Sequence, residues 1–111
     1  MTQYLISFDD GAMAFPEEDL PAVSRAALAV ATEATEAGVW MFSGGLHEAA
    51  TVSVVGTDGT VTDGASDKAY VGGFAVVDVS SREDALRWAA KIAVACRCAQ
   101  EVREFLPGPK M

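Results

Sequence analysis

His47 is the only histidine of the 111-residue chain, and it follows Ser43-Gly44-Gly45-Leu46 at the end of an apolar run. Glycines beside a strand end let a ligand or another backbone come close. An imidazole there could serve as general base or hydrogen-bond donor near neutral pH. The plain alternative is a surface loop residue beside Glu48. Asp63, ahead of Gly64, is the second candidate. Its carboxylate could orient the imidazole or bind a ligand donor, or it could cap its own backbone in an Asx-turn. Lys68 and Tyr70 follow in a polar loop and could complete a pocket, although a solvated lysine is the commoner fate. Asp9 and Asp10 end the first apolar run. Neighbours on an extended segment point to opposite faces, which argues against a carboxylate dyad or a metal site and leaves one of them, Asp10, as a ligand-binding candidate.

Other constellations are missing from the sequence. Cys96 and Cys98 are the only cysteines; at that spacing on a helix they diverge, which makes a disulfide awkward. A zinc site would need further Cys or His ligands, so two reduced thiols in structural positions are expected. No phosphate-binding, dinucleotide-binding or nucleophile-elbow motif occurs, and neither a cofactor nor a metal is expected. Arg97 and Arg103 could contact an anion, or pair with Glu101 or Glu104 near the last strand.

The elements that must position these residues follow from periodicity and punctuation. Residues 4–8 read as a strand ending at Asp9-Asp10-Gly11, and 11–18 as a loop. Asp19 can cap a helix over 19–37 whose first turn tolerates Pro21. Leu20, Val23, Ala27, Val30 and Ala34 recur on one face of it, and Gly38 ends it in the left-handed conformation. Residues 39–43 and 51–55 read as strands, the second running into an Asp58-Gly59 hairpin turn. A short strand precedes the strand over 73–79. Ser80-Ser81-Arg82-Glu83 then offers a capping box for a helix over 81–95, with Ala85, Trp88, Ala89, Ile92 and Cys96 as its buried stripe. Residues 101–105 alternate charged and apolar as an edge strand does, and 107–111 form a frayed tail. The order predicts an α+β, ferredoxin-like antiparallel sheet with two helices on one face, in one domain over 1–106. The strands are apolar on both faces, so the face without helices is expected to meet a partner.

Composition narrows the partners. Half of the chain is apolar, and eight basic against sixteen acidic residues give a formal charge of −8. Such a surface suits neither a phosphate backbone nor an anionic membrane. No apolar run reaches the length of a membrane span, and Met1-Thr2-Gln3-Tyr4 lacks the basic start of a signal peptide. A cytoplasmic protein is expected.

Asp63-Gly64, a polar loop with Lys68, and Gly72-Gly73-Phe74 opening an apolar strand are similar to the DGPF branch of the YCII-related family, in which Asp-Gly-Pro-Phe and a short loop lead into a Gly-Gly-aromatic strand. Ala65-Ser66 stand where Pro-Phe would be. The resemblance extends loosely over residues 3–106. It implies a dimeric α+β barrel, two sheets packed face to face, with Asp63 beside the cleft. YciI-like proteins of the other branch are thought to use a histidine on the first helix with an aspartate. Helix 19–37 has no histidine, so catalysis here would rest on His47. Two functions follow from the resemblance: a small-molecule-binding homodimer with an accessory or regulatory role, or a cofactor-free lyase, isomerase or dehalogenase-type enzyme acting on a small cyclic compound. A lone imidazole without a nucleophile constellation favours the first.

Overall fold

The structure is a computed structural model that describes residues 1–108. In chain order it contains β1 (Thr2–Asp9), α1 (Leu20–Glu36), β2 (Trp40–Gly45), β3 (Ser53–Val55), β4 (Val61–Asp63), β5 (Val71–Val79), α2 (Arg82–Cys96) and β6 (Glu101–Glu104). Four strands form an antiparallel sheet in the order β2-β5-β1-β6. Both helices cover one face of it, which is the α+β, ferredoxin-like plan expected from the element order. Among the described residues, no helix is long and apolar enough to cross a membrane. Of the tail expected over 107–111, residues 109–111 lie outside the described residues.

The core grows from the period-2 alternation of the two central strands. Tyr4 and Ile6 of β1 pair with Val77 and Ala75 of β5. All four are buried against Ala85, Ala89, Ile92 and Cys96 of α2. α1 contributes Val23 and Ala34 as buried residues, with Ala27 and Val30 packed at the margin. Leu20, expected on that buried face, is exposed because a 3-10 turn at Glu17–Asp19 precedes the helix and turns its first residue outward.

Caps and turns follow local chemistry with two corrections. Ser81 caps α2, its Oγ accepting from Asp84 N at 3.2 Å, so the helix starts one residue later than expected and Asp84 takes the place of Glu83. Asp19 makes no side-chain cap; its carboxylate accepts from Arg97 Nη1 at 2.7 Å. That contact also settles Arg97, which pairs with neither Glu101 nor Glu104. Glu104 instead accepts from the Tyr4 hydroxyl. Gly38 follows α1 at φ +77°, the left-handed residue the sequence asks for. The Asp58-Gly59 turn forms as expected, with Gly59 at φ +86° and Asp58 Oδ1 accepting from Thr60 N.

The stretch 51–55 departs from expectation. Residues Ala49–Thr51 make a 3-10 turn, and β3 pairs only with β4, as a two-stranded hairpin outside the main sheet. All six strand residues of the hairpin are exposed. Its apolar valines mimic a core strand in sequence, but the antiparallel neighbour of β2 is β5.

The central pair is shaped by two glycines. Neither Gly72 nor Gly73 has a positive φ; the constraint is close approach. A Cβ at Gly72 would lie 2.8 Å from Asp10 Cα, and one at Gly73 would lie 2.5 Å from the Phe8 ring. The register slips beside this point, where Phe8 faces Gly73 and Asp9 faces Val71, so Gly72 is the extra residue of a bulge.

The sheet face away from the helices carries Leu5, Phe42, Phe74 and Val76, with Phe42 61% exposed and its ring 5.7 Å from that of Phe74. The molecule is a plate, 44 × 43 × 18 Å, with a radius of gyration of 15.6 Å. A compact chain of this length would have about 13 Å. Its surface is 7561 Å², against about 5,800 Å² for a compact monomer of this mass.

Gly72→Ala is expected to destabilise by about 1–3 kcal/mol, because the clash is with backbone that cannot turn aside. Gly73→Val should cost more than the ~1 kcal/mol of a backbone effect alone, since it displaces the Phe8 ring. Urea unfolding of both variants checks this, and midpoints equal to that of the parent chain would show that the Gly-Gly step is incidental.

Candidate functional site

Two places compete for a function, and the sequence candidates gather at only one. At the end of the sheet, Leu46 N donates to Gly72 O and Asp10 N donates to Tyr70 O, tying the loops after β2, after β1 and before β5 together. His47 and Tyr70 line the same shallow groove there, of about 210 Å³, with Glu48, Thr51, Val52 and Val71. His47 is exposed. Asp10 holds the loop after His47, its Oδ2 accepting from Ala49 N at 3.0 Å.

The other candidates point elsewhere. Asp63 sits on the exposed hairpin, where its Oδ1 accepts from Ser53 Oγ across the strand pair. It does not line the His47 groove. That cross-strand hydrogen bond from Ser53, and not an Asx-turn to the N–H of Ala65, is the one the carboxylate makes. Lys68 lies over the Tyr70 ring, 4.3 Å from Nζ to the centroid. The Tyr70 hydroxyl receives Ser66 N at 3.1 Å and lies 3.2 Å from Ser66 Oγ. These hydrogen bonds hold the phenol below its ordinary value of 10.0. The polar loop is thus folded upon itself: Ser66, Lys68 and Tyr70 satisfy one another.

The second place is a cavity of about 360 Å³ between the helices and the sheet. Ile6 and Phe8 of β1, Trp40 and Ser43 of β2 and Ala75 of β5 form its floor; Ala27, Val30 and Ala31 of α1 with Ile92 and Cys96 of α2 form its roof. Space exists because Ala27 and Ala31 of α1 are small and because Gly44 and Gly45 leave their part of the floor without side chains. The Ala-rich helix faces and the paired glycines were the sequence signal for it, and they read there as helix formers and strand ends. Its polar edge is limited to Ser43, Gln100 and the Cys96 thiol, and no carboxylate, amine or imidazole lines it. Gln100 Nε2 donates to Cys98 O at 3.3 Å.

Burial pushes the Cys96 thiol above its ordinary value of 9.0, and the neighbouring Cys98 adds to the shift. Cys98 is raised as well, by burial, with Gln100 opposing. A protonated thiol is a poor nucleophile and a poor ligand. The cavity can therefore hold a molecule by shape and apolar contact, with a few hydrogen bonds at its rim, and it offers no acid, base or anion hole. Among the described residues, no three His, Cys, Asp or Glu side chains come together to hold a metal ion.

Neither a family model nor a curated protein matches the sequence. Among solved structures the chain is similar to the 5-chloro-2-hydroxyhydroquinone dehydrochlorinase TftG of Burkholderia phenoliruptrix, in its complex with 2,5-dihydroxybenzoquinone. The TM-score is 0.53 at 17% sequence identity, over 96% of this chain and 95% of that one. What the two share is a fold. That fold is the α+β plan that the YCII-related resemblance implies.

The raised Cys96 thiol gives a pH prediction. An unfolded thiol loses its proton near 9, whereas the native one holds it longer, so its contribution to stability is complete below pH 9 and is lost as pH rises towards the native value. The fall in the urea midpoint between pH 8 and pH 10 should therefore be smaller in Cys96→Ala than in the parent chain. Equal falls would place Cys96 in contact with water.

Proposed function

We propose that the protein is a homodimer of one YCII-related domain over 1–106, and that it binds a small, neutral, mainly apolar molecule in the cavity between helices and sheet. The observation that carries the binding reading is the lining: a half-open apolar cleft to which no carboxylate, amine or imidazole contributes. Its volume, about 360 Å³, falls at the small end of ligand pockets, and an apolar cavity of roughly 150 Å³ already takes benzene. A substituted single ring fits. A charged ligand would lose its hydration there without a counter-ion, inside a chain whose formal charge is already −8.

The dimer is supported by the open apolar face, by the plate-like shape and by the surface in excess of a compact monomer. An interface of standard size removes about 800 Å² from each partner, which that excess can supply. An accessory or regulatory role suits a protein that binds without transforming its ligand.

A second reading is favoured by the fold shared with a dehydrochlorinase that was solved with a quinone bound. In it the protein is a cofactor-free enzyme acting on a small cyclic compound, with His47 as acid–base and Tyr70 beside it in the groove. Asp63 would need the hairpin to move before it could assist, because its carboxylate is committed to Ser53.

Titration with phenol and toluene, followed by amide NMR, separates these readings. Saturable shifts around Ile6, Phe8 and Cys96 are expected, lost in Ala31→Phe, which fills the cavity, and kept in His47→Ala. Shifts confined to His47 and Tyr70 would move the site to the groove. Chloride release from 5-chloro-2-hydroxyhydroquinone that His47→Ala abolishes would establish the enzyme reading instead.

Light scattering at micromolar concentration should give twice the 11.6 kDa of the chain. A mass of one chain would overturn the dimer.

A further inference from the structure

The open face of the sheet carries a carboxylate that its own chain leaves unsatisfied. Asp78 lies in β5 between Val77 and Val79, whose side chains are buried towards the helices, so its own side chain projects to the opposite face. Oδ1 of Asp78 is shut off from water and receives no hydrogen bond. Buried polar atoms in folded proteins are paired in the great majority of cases, and an exception asks for an explanation. Nothing in the helix layer can supply the donor, because the sheet itself stands between.

The same face carries a cation without a partner. Arg103 of β6 stands opposite Leu5 and is exposed. Among the described residues the ion pairs engage Arg87, Lys91 and Arg97, and none engages Arg103. Within one chain β1 separates β5 from β6, which sets the two strands roughly 10 Å apart. Leu5 of β1 stands between them, in the row of Arg103. Face-to-face packing changes this. A two-fold axis running along the strands, between two such sheets, lays β6 of one copy over the β2–β5 half of the other, and a long arginine side chain then reaches β5.

We infer that the Asp78 carboxylate of each copy pairs with the Arg103 guanidinium of the other, twice by symmetry, and that this pair fixes the register in which the two open faces meet. The inference rests on the homodimer proposed above. An apolar face made of Leu5, Phe42, Phe74 and Val76 attracts another such face without choosing an orientation, since burial of area is non-directional. A carboxylate with one oxygen shut off from water and a forked cation supply the missing choice: any register that leaves Asp78 Oδ1 unpaired keeps the cost of an unmet hydrogen bond. Glu101, two residues before Arg103 on the same strand, is the competing partner within one chain.

Asp78→Arg and Arg103→Asp, prepared separately and then mixed, test the inference by analytical ultracentrifugation. Each variant alone should dimerise about tenfold or more less tightly than the parent chain, because both cross-interface contacts join like charges. An equimolar mixture should form heterodimers with affinity restored towards that of the parent, since both contacts then join opposite charges. A parent dimer with no restoration on mixing overturns the inference and leaves the dimer standing. A monomeric parent overturns the dimer itself. Should Asp78→Arg lose its native circular dichroism, Asp78→Asn and Arg103→Gln replace the pair in a double-mutant cycle on the dimer dissociation constant. Non-additivity of about fivefold or more is expected, with Glu101→Gln leaving the constant unchanged, and additive effects overturn the pairing.

Discussion

The Phe8 ring lies across Gly73, in the space where a side chain of β5 would otherwise stand. Much else depends on that contact. With the ring in that place, Phe8 joins the cavity floor beside Ile6 and Ala75, which pack against α2 at its inner end, and the cavity opens towards α1. One residue earlier in β5, Gly72 is squeezed against the backbone of Asp9 and Asp10. That approach creates the bulge, brings Asp10 N to Tyr70 O, and so ties the loops at the end of the sheet together. Two adjacent glycines thereby set the shape of the cavity on one side and the loop platform on the other, by excluding a Cβ from two places rather than by adopting a conformation closed to other residues.

The helices occupy only one face of the sheet, and a plate 18 Å thick has no layer on the other. Half the side chains of the central strands are consequently left to choose between water and another protein surface. They are not those of a solvated face: Phe42 and Phe74 touch, and Leu5 and Val76 lie beside them. Besides Asp78, Glu101 and Arg103 on this face, charge lies on the loops and on the outer sides of the helices, where Glu33 pairs with Lys91 and Asp19 with Arg97.

The polar residues that suggest chemistry are mostly committed to architecture. Asp10 holds Ala49, Asp63 holds Ser53, and Tyr70 with Lys68 closes its own loop. Each forms its contact over the short distance a turn or a loop crossing allows, and a carboxylate that receives such a hydrogen bond has less to offer a ligand. His47 stands apart on an exposed loop. The cavity, in contrast, is built from residues with no chemistry of their own. The apolar cavity and the groove that holds the imidazole therefore lie in different parts of this molecule.

Helix existence, the left-handed end at Gly38, the Ser81 cap, the Asp58-Gly59 turn and the alternation that puts Ile6 and Val77 inside were all legible in the sequence. These features are decided by residues within one or two turns of each other, so their physics is present in any short window. The strand expected over 51–55 forms over 53–55 and runs into the expected turn, but valines promise a sheet without saying which. β5 claimed the edge of β2, and the remaining hairpin had only itself to pair with. Asp19 looked like a cap and was taken by Arg97, far along the chain; Asp63 looked like a partner for His47 and was taken by Ser53. The cavity was the least legible of all, since it is the space left between residues of five elements, and the alanines and paired glycines that leave it room occur as readily in helices and strand ends with no cavity. Local propensity is additive along the chain and can be summed from sequence. Close approach, competition for a partner and empty volume depend on which distant segments meet, and only packing decides those.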